Sequence, residues 1–239
     1  MQPITIQTYG TITVVRDDLL PGGTKSILMP FLVGDAQECV YASPVFGGFQ
    51  IALSAYMQKL GRKATIVCAK RKERHPNTMK CLELGANVIE LATGYLTVLE
   101  KRAREYAEKE GALKLEFGAH SPECIKIIAE RVSSVFRLMQ GYPDEIWCAV
   151  GSGTLIESIA EAIPKENTKT HIMGVVIGKR YTTYNPRIGT FYYPKPFETA
   201  SKYPVPFPSM PNYDLKAWEI CSIHQKMKPD KNLLFWNVL

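Results

Sequence analysis

From residue 40 to residue 177 the chain repeats one pattern, a short run rich in β-branched residues followed by a longer amphipathic run. The short runs have the length of strands, and the longer runs place apolar residues at helical spacing. A glycine stands where three of the helices should end, at Gly61, Gly85 and Gly111. Strands that alternate with helices are typical of parallel sheets covered on both faces. The sequence therefore predicts an α/β fold with mainly parallel sheets.

The same patterns give approximate bounds for each element. Predicted strands cover residues 4–15, 40–43, 64–69, 87–91, 145–150, 170–177 and 232–237. Predicted helices cover residues 49–60, 76–84, 97–110, 122–140, 155–163 and 214–226.

Between residues 181 and 213 the periodicity stops, and these 33 residues hold seven prolines and many aromatic side chains. So long a segment without regular structure is usually functional in a compact domain, so we expect it to form a lid or one wall of a substrate site. The alternative is a proline-rich segment whose aromatic rings only cover the core.

Composition excludes several classes of protein. The chain has 239 residues, of which 46% are hydrophobic and 22% charged, which is typical of a soluble globular protein with one or two domains. The N-terminus has no secretion signal and no apolar run reaches 18 residues, so we expect a cytoplasmic protein. The six cysteines form no CxxC pair and are expected to be reduced and buried. The four histidines have no metal-ligand spacing, so no metal site is expected.

The net charge of +6 is concentrated near the C-terminus, where residues 165–239 carry 11 basic and 5 acidic side chains. Such an excess suits a polyanionic partner, although solubility alone also explains it. Lys70, Arg71, Lys72 and Arg74 form a second basic run, interpreted either as a rim that contacts phosphates or as a solvated surface.

Three glycine clusters each stand just before a predicted helix or helix-like run. Glycines let backbone N–H groups approach an anion at a helix N-terminus, so Gly151, Ser152, Gly153 and Thr154 are candidates for binding a phosphate. A tight turn capped by Thr154 is the alternative. The other two clusters place Lys25 after Gly22-Gly23-Thr24, and Gln50 shortly after Gly47 and Gly48. Lys25 is a candidate for a Schiff-base lysine, although most lysines after a turn are simply solvated.

Several of these runs together resemble the fold type II pyridoxal-phosphate enzymes, the tryptophan synthase β group, and within it the branch of aminocyclopropane-carboxylate deaminase and D-cysteine desulfhydrase. Residues 16–25 are similar to the branch's segment ending in GGNK, and residues 211–216 to its P-x-Y-E-x-K motif. Residues 151–154 match its phosphate loop. The similar runs are residues 16–25, 60–67, 84–88, 151–154, 172–175 and 211–216.

The resemblance implies pyridoxal 5'-phosphate (PLP) as cofactor, Lys25 as the Schiff-base residue, Asp214 at the pyridine nitrogen and Tyr213 beside the cofactor, as an acid or base or as a ring contact. The resemblance also places the cofactor in contact with Gly47, Gly48 and Gln50. It also implies a homodimer and two interleaved three-layer αβα lobes. Residues 1–36 and 141–239 would form the large cofactor-binding lobe, and residues 37–140 the small lobe.

The chain departs from the family after its second predicted strand, where residues 44–50 read PVFGGFQ instead of carrying a serine and an asparagine. This departure argues against a ring-opening deaminase. The chain is also short, and it resembles phage-encoded members linked to thymidine hypermodification in DNA. This resemblance, together with the basic C-terminal third, favours decarboxylation of an amino acid attached to a thymidine base. Alternatives are a lyase or deaminase of a free small amino acid and, opposed by Lys25 and Asp214, a non-catalytic nucleic-acid-binding relative.

Overall fold

A computed structural model describes residues 2–178 and 181–239 of the chain. The strands are β1 (Ile6–Tyr9), β2 (Ile12–Arg16), β3 (Glu38–Ala42), β4 (Lys63–Ala69), β5 (Asn87–Leu91), β6 (Leu113–Leu115), β7 (Glu145–Val150), β8 (His171–Val176), β9 (Ile188–Tyr192) and β10 (Leu233–Asn237). The α-helices are α1 (Met29–Val33), α2 (Phe49–Lys59), α3 (Pro76–Glu83), α4 (Leu96–Glu110), α5 (Pro122–Met139), α6 (Thr154–Ala162) and α7 (Asp214–Met227). The predicted α/β class with mainly parallel sheets is confirmed.

One sheet has six strands in the order β1-β2-β10-β7-β8-β9. β1 and β2 form an antiparallel hairpin, with Gly10 at a positive φ of 62° in the turn, and all other neighbours are parallel. The central strands β7 and β10 are buried along their whole length. Trp147, Trp236 and Phe235 are the largest apolar side chains here, and they have no exposed surface. Burial of such rings on both faces of a strand requires layers above and below the sheet.

The second sheet has four parallel strands in the order β5-β4-β3-β6. Its apolar core joins β3 and β4 to α4 through Val40, Val67 and Leu99, which are at most 1% exposed. The helices around it end where the glycines predicted: α4 closes on Gly111, which is left-handed. Gly61 and Gly85 also have positive φ angles just beyond α2 and α3. A residue without Cβ adopts this conformation at little cost.

The chain divides into two compact units, one of residues 1–19 and 120–239 and the other of residues 20–119. The sequence analysis drew the corresponding borders at residues 37 and 141. The difference has a local cause at each border. The 3₁₀ turn Thr24–Leu28 and α1 pack on α2, which places them in the contiguous unit, and α5 packs along α6, which places it in the discontinuous one.

β6 and β9 were not predicted from the sequence, and α1 falls in the helix-like run expected after Gly22 and Gly23. β6 has only three residues, α1 has only five, and β9 lies inside the proline-rich segment that was expected to lack regular structure. The predicted first strand is a hairpin of two strands. β6 is too short for a periodic pattern to be recognised, whereas β9 depends on its pairing with β8.

All six cysteines are free and buried, as expected. Among the residues that the structure describes, none of the helices combines the length and the apolar character that a membrane span requires. Those residues also contain no group of three or more His, Cys, Asp or Glu side chains placed to hold a metal ion.

Candidate active site

The turn from β7 to α6 carries the predicted phosphate-binding residues. β7 ends at Val150, and α6 begins at Thr154 after a left-handed Gly153 with a φ of 87°. The hydroxyls of Ser152 and Thr154 lie 3.0 Å apart in a hydrogen bond. Backbone N–H groups at a helix start and adjacent hydroxyls form a site suited to an anion.

Two tyrosines lie so close to this turn that a side chain on Gly153 would displace one of them, and a side chain on Gly151 would crowd the other. A Cβ on Gly151 would lie 3.1 Å from the Tyr213 hydroxyl, and a Cβ on Gly153 would lie 2.8 Å from the Tyr181 ring. The Tyr213 hydroxyl donates a hydrogen bond of 3.3 Å to the Ala149 carbonyl. The structure thus brings Tyr213 into contact with the predicted phosphate turn.

Glu157, in the first turn of α6, holds Tyr181 in this position. Its Oε1 accepts a hydrogen bond of 3.1 Å from the Tyr181 hydroxyl, and its Oε2 lies 3.0 Å from Nε2 of His120. Burial, followed by the charge of Glu157, raises the pKa of Tyr181 to about 12. These three residues were not predicted from the sequence, because Tyr181 and His120 lie 24 and 37 positions from Glu157 and the three form no local motif.

Asp214 begins α7 directly after Tyr213, and its carboxyl group is completely buried. Oδ2 accepts a hydrogen bond of 2.9 Å from the backbone N–H of Leu239, whereas Oδ1 has no hydrogen-bond partner among the described residues. Burial raises the pKa of Asp214 to about 8 from its usual 3.8. Burial also raises the pKa of Tyr213, and the neighbouring Asp214 adds to the effect. Both side chains therefore hold their protons near neutral pH in the absence of a cationic partner.

In the contiguous unit, Lys25 lies in the 3₁₀ turn that follows Gly22 and Gly23, and its Nζ donates a hydrogen bond to the carbonyl of Gly118. A side chain on Gly22 would collide with the backbone of α2, since its Cβ would lie 2.3 Å from the Gly48 carbonyl oxygen. Gly118 follows β6 in a left-handed conformation, with a φ of 84°. The Lys25 amine is therefore anchored at the carboxyl edge of the four-stranded sheet, where open α/β sheets bind ligands.

The loop after β3 lies at the same edge and contains Gly47 and Gly48, and Gln50 follows in the first turn of α2. The buried Gln50 amide donates hydrogen bonds to the carbonyls of Val45 at 3.0 Å and Gly47 at 2.9 Å, so it holds the loop together. Contacts of Gly47, Gly48 and Gln50 with a cofactor stay a prediction. Each unit thus assembles its own share of the predicted residues: Gly151 to Thr154, Tyr213 and Asp214 in one, Lys25 and the Gly47 loop in the other.

The basic run after β4 divides into two parts. Arg74 makes two hydrogen bonds to Oε2 of Glu90, at 3.0 and 2.9 Å. Arg71 instead stacks on the Phe46 ring, with its guanidinium carbon 5.0 Å from the ring centroid. Arg71 therefore covers the loop that carries Gly47, whereas Arg74 pairs with Glu90 at the surface of the same unit.

A family model described as pyridoxal-phosphate dependent enzyme matches residues 12–209. The chain belongs to this family. Its cofactor is PLP, and its architecture is that of a fold type II PLP enzyme. No curated protein matches the chain.

Solved structures of PLP enzymes share this fold at low sequence identity. A homologue of ACC deaminase is 18% identical and has a TM-score of 0.81 over 95% of this chain and 83% of its own. O-acetylserine sulfhydrylase isoform 3 from Entamoeba histolytica is 13% identical, with a TM-score of 0.71 over 99% of this chain and 84% of its own. A hydrogen sulfide-producing enzyme from Fusobacterium nucleatum is 12% identical, with a TM-score of 0.69 over 99% of this chain and 94% of its own.

The residues of this chain fit PLP. The unpartnered Oδ1 of buried Asp214 is an acceptor suited to a protonated ring nitrogen. The turn at Gly151 and Gly153 gives a phosphate close access to backbone N–H groups. In the other unit, Lys25 carries a primary amine of the kind to which an aldehyde can attach.

Proposed function

We propose that this enzyme decarboxylates an amino acid attached to a thymidine base in phage DNA, with Lys25 as the residue that holds PLP. When bound, PLP draws electrons from a bond at the substrate's Cα into its ring. In this proposal residues Gly151 to Thr154 bind the cofactor phosphate. Asp214 pairs with the ring nitrogen, because its unpartnered Oδ1 accepts a hydrogen bond there and its buried charge needs a cation.

The observation that carries the DNA-linked substrate is the exposure of several aromatic and basic side chains along the proline-rich segment. The side chains of Tyr184 and Tyr192 are 89% and 55% exposed, and Lys195 and Lys202 are exposed near them in sequence. Exposed rings accept stacked bases, and lysines neutralise phosphates. A free small amino acid needs neither feature.

Tyr213 has a role of its own in the proposal. After carbon dioxide leaves, Cα must take up a proton. The raised pKa of Tyr213 keeps its phenol protonated at neutral pH, so it holds a proton that it would give to Cα and would regain from water before the next turnover. Its hydroxyl lies against the phosphate turn and bonds the Ala149 carbonyl, so its position is fixed. We therefore assign Tyr213 as the proton donor.

A second candidate is a lyase or deaminase of a free small amino acid. It is favoured by the solved structures of similar fold, which include a homologue of ACC deaminase, a hydrogen sulfide-producing enzyme and the diaminopropionate ammonia lyase of Escherichia coli. At 18% identity or less these likenesses support the fold more than the substrate.

The cofactor roles are tested by absorbance. Purified enzyme reconstituted with PLP should show an absorbance band near the visible edge. After dialysis to remove PLP that is not covalently attached, the band should remain in the native protein and be absent from Lys25→Ala. Lys59→Ala, which changes an exposed lysine at the end of α2, is the control and should keep it. A Lys25→Ala protein that retains the same band after dialysis would show that Lys25 is not the attachment site.

The substrate is tested by mass spectrometry of nucleosides from DNA that carries amino-acid-modified thymidine, beside a panel of free D- and L-amino acids. We expect a loss of carbon dioxide from the modified nucleoside only. Turnover of free amino acids alone, together with DNA binding that does not change with salt, would reject the DNA-linked substrate in favour of the second candidate. The implied homodimer is tested by light scattering of the same preparation.

A further inference from the structure

Lys216 is a buried lysine that none of the roles above uses. It lies in the first turn of α7, two residues after Asp214, and has no exposed surface. Its Nζ donates hydrogen bonds of 2.8 Å to the Pro196 carbonyl and 3.2 Å to the Phe197 carbonyl. The ammonium also lies 5.0 Å from the centroid of the Tyr193 ring. No carboxylate of the described residues pairs with it as a salt bridge.

This placement is unfavourable for stability alone. Burial takes the ammonium out of water, and the first turn of a helix is the end where the dipole disfavours a cation. An apolar side chain would pack at the same place without either cost. What the ammonium provides and an apolar side chain would not is attachment of the chain at Pro196 and Phe197 through several N–H donors.

Neighbouring residues attach the rest of the same stretch, which we call the wall segment and define as residues 193–201. Oε2 of Glu219 accepts hydrogen bonds of 2.7 Å from the hydroxyls of both Tyr193 and Ser201, the two ends of the segment. Nδ2 of Asn212 donates to the Phe197 carbonyl at 2.9 Å. The wall segment is therefore bound at both ends and in the middle by side chains from residues 212–219.

Tyr213 and Asp214 lie within that same stretch, so the wall segment and the proposed proton donor are fixed to one short piece of chain. We infer that Lys216 is a positioning residue that holds the wall segment beside Tyr213 as a preformed side of the substrate site. The substrate part of this inference rests on the proposed role of Tyr213, whereas the attachment of the segment does not. The segment is then a fixed wall, not a lid.

Hydrogen exchange of the cofactor-free protein tests the attachment. Lys216→Met keeps the length of the side chain and removes the charge and the donors. We expect amide exchange in residues 193–201 to rise at least about tenfold, with exchange in β7 and β10 unchanged. The matched control is Lys226→Met in the last turn of the same helix, where the side chain is exposed, and it should leave the wall segment protected. Unchanged exchange in the wall segment, or an equal rise throughout the unit, overturns the inference.

Kinetics of the reconstituted enzyme test the substrate part. With whichever substrate is turned over, Lys216→Met should raise KM by at least about tenfold while the absorbance band of bound PLP stays unchanged. Faster amide exchange in residues 193–201 without a change in KM would show that the wall segment is not a side of the substrate site. If Lys216→Met does not fold, Asn212→Ala removes one donor to the Phe197 carbonyl and should give a smaller rise in the same exchange and in KM; no rise overturns the inference. Failure of the Lys25 absorbance test affects only the proposed function.

Discussion

At the scale of one residue, the buried carboxyl group of Asp214 lowers the stability of the folded protein. A buried carboxyl group with one unpartnered oxygen destabilises the protein when it ionises, unless a cation lies beside it. Pairing with a protonated ring nitrogen would supply that cation. The residue is therefore expected to make the cofactor-free protein sensitive to pH.

The sign of this dependence follows from the raised pKa. The folded protein keeps the Asp214 proton up to about pH 8, whereas the unfolded chain loses it near 3.8. Stability of the cofactor-free protein should therefore fall as pH rises from about 4 through about 8, with a slope from this group approaching about 1.4 kcal/mol per pH unit. Denaturant unfolding across this range should show the slope in the native protein and not in Asp214→Asn. Equal slopes in both proteins would contradict it.

Gly153 illustrates a different residue-scale constraint, since both its backbone angle and its surroundings require glycine. An alanine there would adopt a positive φ and bring its Cβ to 2.8 Å from Tyr181 and 3.0 Å from Glu157. We expect Gly153→Ala to weaken PLP binding at least about tenfold, because the Tyr181 ring must move at the phosphate turn. The affinity is measured by titration of cofactor-free protein.

The control for this prediction is Gly111→Ala at the end of α4. Gly111 also has a positive φ, but a Cβ there meets nothing within 4 Å. It should lower the free energy of unfolding by about 1 kcal/mol through the backbone alone and leave PLP affinity unchanged. If both variants lose affinity equally, the close contact with Tyr181 is not the cause.

At the scale of elements, the sequence predicted those whose pattern is local. β5 and β7 have the predicted bounds, and the glycines after α2, α3 and α4 marked the ends of these helices. β9 was missed because its pairing is long-range: it is the outer strand of its sheet, bound only to β8. Its Phe191 stacks on Trp147 of β7 at 5.3 Å, a contact that no sequence window contains.

The candidate site divides in the same way. The glycine turn before α6 and the Tyr213-Asp214 pair were recognisable because a few adjacent residues define each of them. The cluster of Glu157, His120 and Tyr181 was not recognisable, because only folding brings His120 and Tyr181 to the Glu157 carboxylate. The attachment of the wall segment to residues 212–219 likewise depends on contacts between residues 15 to 26 positions apart.

At the scale of the whole molecule, the discontinuous unit must join residues 1–19 to residues 120–239. Asp17 makes that connection from a completely buried position. Its carboxylate accepts hydrogen bonds from Arg131 of α5 at 2.5 Å and from the indole of Trp236 of β10 at 2.9 Å. Arg131 also donates to the carbonyl of Pro3 at 3.0 Å. One buried ion pair thus links the start of the chain to two distant elements.

Removal of one partner would leave the other charge buried and unpaired, so Arg131→Met should lower the free energy of unfolding by about 3–5 kcal/mol. Tryptophan fluorescence suits the measurement, because Trp147, Trp218 and Trp236 all lie in the discontinuous unit. The double variant Asp17→Asn with Arg131→Met removes both charges and should be less destabilised than Arg131→Met alone. If the two substitutions instead add, the ion pair does not account for the loss, and the connection of the first 19 residues rests on the strands β1 and β2.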